Sequence, residues 1–407
     1  MKRNGFSRLA LCVLCGASTS LLVPGLASAG WVSLASGTTN HIQSVHFPVN
    51  VQTGYAAGWS GNMRKTTNGG AAWVLQSSGT IEALFSVHFP LNAQTGYTVG
   101  YNGAIQKTTN GGAAWASQTS GTTTWLLSVH FPVDEQTGYA VGEVGTILKT
   151  TDGGTSWIPQ TSGTTNALYS VHFPLDAQTG YAVGSNGTIQ KTTNGGTSWT
   201  LQTSGTTDYL QSVHFPVNAQ TGYVVGFAGI LLVTTDGGAA WVPRSSGTNR
   251  TLYSVHFPLD AQTGYAVGSS GAIQKTTNGG AAWVSQTSGT AYYLYSVHFP
   301  VDASTGYAVG ANGTILKTTD GGAIGVEEGQ NAERGMRSAE LRMIPNPFAS
   351  FATLPGHEAE RFSLYDISGR KVGTYRGDRI GEGLSPGVYF LRSSDNKDKP
   401  LRIVKVR

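Results

Sequence analysis

The chain has 407 residues, of which 56 are glycine and only 12% are charged, a composition typical of a turn-rich all-β protein. Residues 1–29 contribute +3 to the net charge of +4, and residues 325–407 carry 14 basic and 11 acidic side chains. Residues 30–324, in contrast, carry only nine basic and eleven acidic side chains. Such a near-neutral region offers no basic stripe for phosphates, so we expect no nucleic-acid binding. No apolar run beyond residue 29 approaches ~18 residues, so we expect no transmembrane segment.

Residues 1–29 have the features of a secretory signal peptide. Three basic residues precede a mostly apolar stretch, and Ala27-Ser28-Ala29 fits the small-residue pattern of a cleavage site. Both cysteines of the chain lie inside this segment. We therefore expect a mature chain that begins at Gly30 and has no disulfides and no thiolate metal site.

Beyond residue 29 the chain is built from a repeat of 42 residues. Each repeat has four short strand patterns, and such a unit of ~40–45 residues is typical of a β-propeller blade. In the first strand, simple alternation places Val171 and Phe173 on one face and Leu168, Ser170 and His172 on the other. The motif Ser-Val-His-Phe-Pro that marks this strand begins at Ser44, Ser86, Ser128, Ser170, Ser212, Ser254 and Ser296.

The two ends of the repeat array complement each other. Residues 31–36 read as a fourth strand without the preceding three, whereas the last repeat has Gly325 in place of its tryptophan. A blade assembled from both ends would leave no open sheet edge. The sequence therefore predicts a seven-bladed β-propeller over residues 30–322, closed by an N-terminal strand.

The turn before the fourth strand, T-T-[ND]-G-G-x-x-W, resembles the Asp-box of BNR repeats, with Thr in the place of Ser. The resemblance implies a folding role in a hairpin turn for Asn68, Asn110, Asp152, Asn194, Asp236, Asn278 and Asp320. The tryptophans that follow the turn recur at the same spacing, and we expect them to lie in the core: Trp31, Trp73, Trp115, Trp157, Trp199, Trp241 and Trp283.

The combination of T-G-Y-A-V-G, G-T-I-L-K-T-T-D-G-G and Trp, seen over Thr137 to Trp157, resembles the seven-bladed propellers of the photosystem II assembly and stability factor family. The resemblance covers residues 31–324. It implies the fold and says less about function, since one fold serves many activities.

Residues 323–342 break the repeat and read as a linker. From residue 343 to 407, alternating strands joined by glycine turns predict a small Ig-like β-sandwich. The order of its motifs, from Pro345-Asn346-Pro347-Phe348 to Arg402-Ile403-Val404-Lys405-Val406, resembles the type A C-terminal sorting domain of the type IX secretion system. The resemblance implies export through the periplasm, with the type IX machinery as partner. An ordinary Ig-like accessory module is the alternative.

Two features of the sequence could form a catalytic or metal site. The seven histidines of the first-strand motif suggest a metal ring, but a seven-fold ring is too wide for one ion and no carboxylate recurs beside it, so we expect structural histidines, no metal and no cofactor. An Asp-box glycosidase needs a carboxylate pair, and Glu82, Glu143 and Asp208 are the irregular acids that might supply one. We therefore predict that the protein is not an enzyme. The histidines are His46, His88, His130, His172, His214, His256 and His298.

Two connections vary from repeat to repeat, and a four-stranded blade places both on one face of the disc. Polar-tipped aromatics on exposed loops suit recognition of proteins or glycans. The candidate binding residues there are Trp59, Tyr101, Trp125, Glu143, Tyr209, Phe227, Arg250, Tyr292 and Tyr293. The sequence thus favours a secreted or cell-surface monomer that acts as a binding or scaffold module. The alternatives are an Asp-box glycoside hydrolase-like enzyme and a purely structural surface or adhesin component.

Overall fold

The computed structural model describes residues 30–322, residue 353 and the ranges 361–366, 370–376, 378–385, 387–393 and 401–405. The predicted leader and linker lie outside these residues. Within them the protein is all-β, and no helix is long and apolar enough to cross a membrane.

Residues 30–322 form seven antiparallel sheets of four strands each, in simple up-and-down order. This arrangement confirms an all-β propeller. The innermost strands are β2 (Ile42–His46), β6 (Leu84–His88), β10 (Leu126–His130), β14 (Leu168–His172), β18 (Leu210–His214), β22 (Leu252–His256) and β26 (Leu294–His298). The second strands are β3 (Gly54–Gly58), β7 (Gly96–Gly100), β11 (Gly138–Gly142), β15 (Gly180–Gly184), β19 (Gly222–Gly226), β23 (Gly264–Gly268) and β27 (Gly306–Gly310).

The outer half of each blade has shorter strands. The third strands are β4 (Met63–Thr66), β8 (Ile105–Thr108), β12 (Ile147–Thr150), β16 (Ile189–Thr192), β20 (Leu231–Thr234), β24 (Ile273–Thr276) and β28 (Ile315–Thr318). The fourth strands are β1 (Val32–Leu34), β5 (Val74–Gln76), β9 (Ala116–Gln118), β13 (Ile158–Gln160), β17 (Thr200–Gln202), β21 (Val242–Arg244) and β25 (Val284–Gln286). Short 3-10 turns follow six of the second strands, at Tyr101–Gly103, Glu143–Gly145, Ser185–Gly187, Phe227–Gly229, Ser269–Gly271 and Ala311–Gly313.

The ring closes through the N-terminal strand, as the complementary ends of the repeat array predict. Strand β1 pairs antiparallel with β28, and Leu34 lies opposite Ile315. Arg64 of the first blade stabilises this closure, because its Nη2 donates to the carbonyl oxygen of Gly37, just after β1, at 2.8 Å. Its Nε donates to Asn62 Oδ1 at 3.1 Å. The other repeats have Gln or Leu at this position: Gln106, Leu148, Gln190, Leu232, Gln274 and Leu316.

The expected face of Leu168 was wrong. Leu168 packs with Val171 and Phe173 in one buried cluster, while Ser170 and His172 face the other way. The reason is a β-bulge, since the register with β15 shifts between Leu168 and Ser170. One extra residue reverses the alternation. Every first strand has the same shift, so in each blade the residue after the leading Leu or Ile is displaced from the ladder.

The apolar core is divided among the seven junctions between neighbouring blades. Each junction has a buried cluster built from two adjacent sheets, and the tryptophans lie in these clusters with 4–8% exposure. In one example, Trp157 contacts Phe131 edge to face at 6.0 Å, and Phe131 stacks on Tyr97 at 3.9 Å. The tryptophans are thus core residues, as expected from their spacing.

Polar bonds join the same junctions further out. The hydroxyl of Tyr97 and the Nζ of Lys107 both donate to the carbonyl oxygen of Gly153 in the next blade, at 3.0 and 2.7 Å. The tyrosine is buried, and its pKa is raised, first by burial and then by nearby acids such as Glu135. Six blades have this pair of donors, whereas the fifth has Val233 in place of the lysine.

The described part of the tail forms one four-stranded antiparallel sheet in the order β30-β29-β31-β32. Its strands are β29 (Arg361–Asp366), β30 (Lys371–Arg376), β31 (Gly387–Ser393) and β32 (Leu401–Lys405). Phe362, Leu364, Ile380 and Leu391 form a buried cluster beside it. A single sheet does not make a sandwich, so the Ig-like fold stays a prediction.

Candidate functional site

The two variable connections of each blade meet on one face of the disc, which we call the variable face. In each blade the residue after the second strand donates its backbone N–H to a carbonyl just before the first strand. Examples are Trp59 to His41 at 3.0 Å, Glu143 to Trp125 at 3.0 Å and Phe227 to Tyr209 at 2.8 Å. Glycine ends the second strand because a Cβ at Gly142, for instance, would overlap the carbonyl oxygen of Trp125.

A row of five aromatic rings crosses the junction between the seventh and first blades, next to the place where the propeller closes. His41 stacks on Trp59, with centroids 4.4 Å apart and planes at 19°, and also faces Tyr295 at 6.0 Å. Tyr295 contacts Tyr253 at 5.5 Å and Tyr293 at 6.4 Å. We call these five residues the seam cluster. It spans the first, seventh and sixth blades, and Trp59 and Tyr293 are 46% and 45% exposed.

The other predicted aromatics fall into smaller groups on the same face. Trp125 contacts Tyr101 at 4.8 Å and Phe85 at 6.0 Å. Tyr209 meets Tyr169 edge to face at 6.3 Å. The structure therefore brings together Trp59 with Tyr293 and Tyr101 with Trp125, while Tyr209 belongs to a separate pair.

The remaining candidate residues lie on the same face without joining these groups. Phe227 is 49% exposed, in its own 3-10 turn. Tyr292 lines a groove of about 840 Å³ together with Thr290, Asn312 and residues 33–40. Arg250 donates to the carbonyl oxygen of Ser270, so its guanidinium is held against the next turn.

Val144, next to Glu143, was not among the sequence candidates. It is 63% exposed and has a left-handed backbone, with φ of 55°. A β-branched residue rarely adopts this conformation, and three of the equivalent positions have Asn. The sequence signal was therefore present: an apolar β-branched residue in a column that otherwise has Asn, Ser or Ala.

Sequence reasoning also missed the residues that connect the groups. Phe85, Tyr169, Tyr253 and Tyr295 all occupy the bulged position of the first strand, where the alternation rule does not apply. This column varies between repeats inside a strand that is otherwise nearly constant: Gln43, Phe85, Leu127, Tyr169, Gln211, Tyr253 and Tyr295. That variation was the available signal.

The Asp-box side chains make hydrogen bonds within their own turns. Asp152 Oδ1 accepts from Thr150 Oγ1 at 2.8 Å and from the Ser156 N–H at 2.9 Å. Hydrogen bonds from Ser156, above all that from its hydroxyl, lower the pKa of Asp152 to about 2. Asn194 takes the same bonds from Thr192 and Ser198, so an amide replaces the acid without loss of function in the turn.

The seven first-strand histidines form a closed ring, with neighbouring centroids 4.7–5.0 Å apart. Each Nδ1 accepts the backbone N–H of the phenylalanine in the next blade, as when Phe173 donates to His130 at 3.4 Å. A neutral imidazole bonded in this way has its proton on Nε2 and offers no lone pair to a metal. Among the described residues, no cluster of three or more metal-binding side chains occurs.

Comparisons with known proteins agree with this architecture. A family model described as photosynthesis system II assembly factor YCF48 matches residues 76–161 and 159–246, which span the second to fifth blades. The search of curated proteins gives no match.

Solved structures extend the likeness to more than two thirds of the chain. YCF48 from Cyanidioschyzon merolae is 18% identical, with a TM-score of 0.60 over 71% of this chain and 99% of that chain. A structure of YCF48 bound to a D1 peptide is also 18% identical, with a TM-score of 0.61 over 74% of this chain and 99% of that chain. The chain is therefore a BNR-type β-propeller that shares the fold of YCF48.

Proposed function

We propose that the propeller is a non-enzymatic scaffold that binds a peptide segment of a partner protein on its variable face. The seam cluster is the observation that carries this proposal, because it presents a row of partly exposed aromatic rings across three blades. Stacked rings keep their orientation before binding, which reduces the entropy lost on association. YCF48 bound to a D1 peptide supports a peptide as ligand, since that protein has the same fold.

The described residues favour binding over catalysis. Three of the acids that depart from the repeat pattern, Glu82, Glu143 and Asp208, belong to connections of the second, third and fifth blades. A fourth, Glu135, accepts a hydrogen bond from Asn92 Nδ2 at 2.8 Å. Glu82 accepts a hydrogen bond from Asn102 Nδ2 at 3.2 Å. The Asp-box acids accept hydrogen bonds within their own turns, as Asp152 does from Thr150. These contacts support the binding proposal over the alternative of an Asp-box glycoside hydrolase.

Replacing Trp59, Trp125 and Tyr209 together by Ala should weaken peptide binding by about 10-fold or more, because exposed aromatic anchors dominate such interfaces. These side chains are 46%, 37% and 49% exposed. Peptide arrays and glycan arrays would be probed with the full chain and the triple variant, followed by titration of each hit. The matched control changes Leu75, Leu201 and Val284 to Ala. These residues lie on fourth strands and are 60%, 65% and 65% exposed.

Peptide hits lost only in the aromatic variant would support the proposal. Glycan hits with the same sensitivity would keep the face and change the ligand class. Equal loss in both variants, or no loss in either, would contradict a recognition role and favour a structural surface component.

We also propose that the protein is exported to the cell surface or medium, using residues 1–29 to cross the inner membrane and residues 343–407 to engage the type IX machinery. Sequence resemblance alone supports this route. Deleting residues 343–407 in a host with that machinery should leave the propeller in the periplasm, as measured by fractionation and immunoblotting. Unchanged release by the truncated chain would contradict the route.

A further inference from the structure

The central channel has two rings of polar side chains that the proposed peptide site does not use. Each first strand contacts the first strands of both neighbouring blades, so these strands enclose the channel. Ser and His alternate on one side of every first strand, two residues apart, and both are half-buried. The serines are Ser44, Ser86, Ser128, Ser170, Ser212, Ser254 and Ser296.

The side chains of both rings accept hydrogen bonds from backbone N–H groups of the next blade. Around the whole ring, each His Nδ1 accepts from a phenylalanine N–H at 3.2–3.4 Å. Each Ser Oγ accepts from a valine N–H at 3.2–3.3 Å, as when Val171 donates to Ser128. On the six ring histidines other than His256, Nε2 therefore carries the proton and can donate a hydrogen bond, as can the serine O–H groups.

Among the described residues, no acidic side chain affects the pKa of six of the ring histidines. For six of the histidines, burial is the main cause of a lowered pKa; for five of these, the charge of other ring histidines adds to it, and no carboxylate contributes. These six histidines are consequently neutral near pH 7. The six are His46, His88, His130, His172, His214 and His298.

The size of the ring suits a polyatomic ligand better than a metal ion. A regular heptagon with edges of 4.9 Å has a radius of about 5.6 Å, far beyond a Zn–N bond of ~2.1 Å. An oxyanion carries several acceptor oxygens away from its centre, and neutral N–H and O–H dipoles can bind such a group without a formal positive charge.

We propose that the channel binds a small oxyanion of the phosphate, sulfate or carboxylate type at the level of the His and Ser rings. The ligand would accept hydrogen bonds from Nε2–H and Oγ–H groups of several blades. Because it would contact first strands that are far apart in sequence, it would also tie the ring together. This site is independent of the peptide site proposed for the variable face.

Long-range imidazole ¹H–¹⁵N NMR of the full chain at pH 7.5 tests the proposal, with sulfate, phosphate and acetate added separately at constant ionic strength. We expect Nε2–H tautomers in the ring and saturable shifts of these signals with at least one oxyanion, but not with chloride. His41, which lies outside the ring, should not shift. Saturation by acetate alone would identify a carboxylate ligand, whereas saturation by phosphate or sulfate would identify an inorganic anion.

The variant His130→Asn/His214→Asn separates binding from folding. Asparagine Oδ1 can still accept the phenylalanine N–H but provides no group at the position of Nε2. We expect about 5-fold weaker anion binding with an unchanged circular dichroism spectrum. The double substitution His41→Asn/Ser60→Asn on the variable face is the control. Shifts that are equally large in chloride, or unchanged affinity in the ring variant, would overturn the proposal.

Discussion

Between pH 6.5 and about 4 the propeller is expected to lose most of its stability. The pKa of His46 is lowered to about 3 and that of His130 to about 4, mainly by burial, and the pKa of His172 lies well below 6.5 for the same reason. Protonating Nδ1 would also break the bond that each ring histidine accepts from the next blade, so charge and geometry act together at the same seven junctions.

The sign of the effect follows from proton counting. Below pH 6.5 the unfolded chain protonates its histidines while the folded ring does not. The unfolded state therefore binds more protons, and the free energy of unfolding decreases as the pH is lowered. Each fully shifted histidine changes the free energy of unfolding by about 1.4 kcal/mol per pH unit in this window. Six such groups give about 8 kcal/mol per pH unit, comparable with the whole stability of a typical domain. The pKa of Asp152 is already near 2, so its protonation lies below the window.

Urea unfolding of the full chain at several pH values in chloride buffer would measure the slope. The substitution His172→Asn keeps an acceptor for the Phe215 N–H, but asparagine does not titrate. It should reduce the slope by the contribution of about one proton. The control is Ser60→Asn on the variable face, which changes no titratable group and should leave the slope unchanged. A slope that does not respond to His172→Asn would show that other groups cause the acid loss.

The blade plan and the closure could be predicted because they depend on local chemistry repeated many times. Turn residues such as Asn194-Gly195-Gly196 specify a hairpin wherever they occur. The missing tryptophan near Gly325 and the surplus Trp31 then imply a shared blade. These features need no knowledge of the neighbours in space.

The parts that escaped prediction depend on contacts between blades. Nothing local to Ser128 or His130 shows that both accept N–H groups from the next first strand. The bulge is also a property of a paired ladder, and it moves Tyr253 and Tyr295 from an expected strand position into the seam cluster. The variable face was therefore predicted as a set of loop residues, while the strand residues that connect them were not.

Replacing Trp31 by Ala is expected to separate the closing strand β1 from β28. Trp31 is 4% exposed and contacts Phe299 edge to face at 5.9 Å and Tyr265 at 6.4 Å. Loss of a buried tryptophan costs about 3–5 kcal/mol. Here the loss has a second consequence, because β1 has only three residues paired with β28 and its covalent link to that sheet runs around the whole propeller.

The matched control is Trp157→Ala, which removes a tryptophan of 5% exposure that contacts Phe131 in the same edge-to-face geometry. Both variants should lose a similar amount of global stability. Hydrogen exchange should separate them: the amides of Val32–Leu34 exchange rapidly in the Trp31 variant, whereas those of Ile158–Gln160 stay protected in the control, since a short turn links that strand to β12.

A companion variant tests whether the seam depends on Arg64 as well. Arg64→Gln installs the residue found in the second, fourth and sixth blades and removes the bond to the Gly37 carbonyl. A bond from a charged donor contributes about 1.5–3 kcal/mol, so exchange at Val32–Leu34 should accelerate without the loss of core packing that Trp31→Ala causes. Equal protection of β1 and β13 in all three variants would mean that the closing strand is no weaker than any other, and that the ring has no preferred place to open.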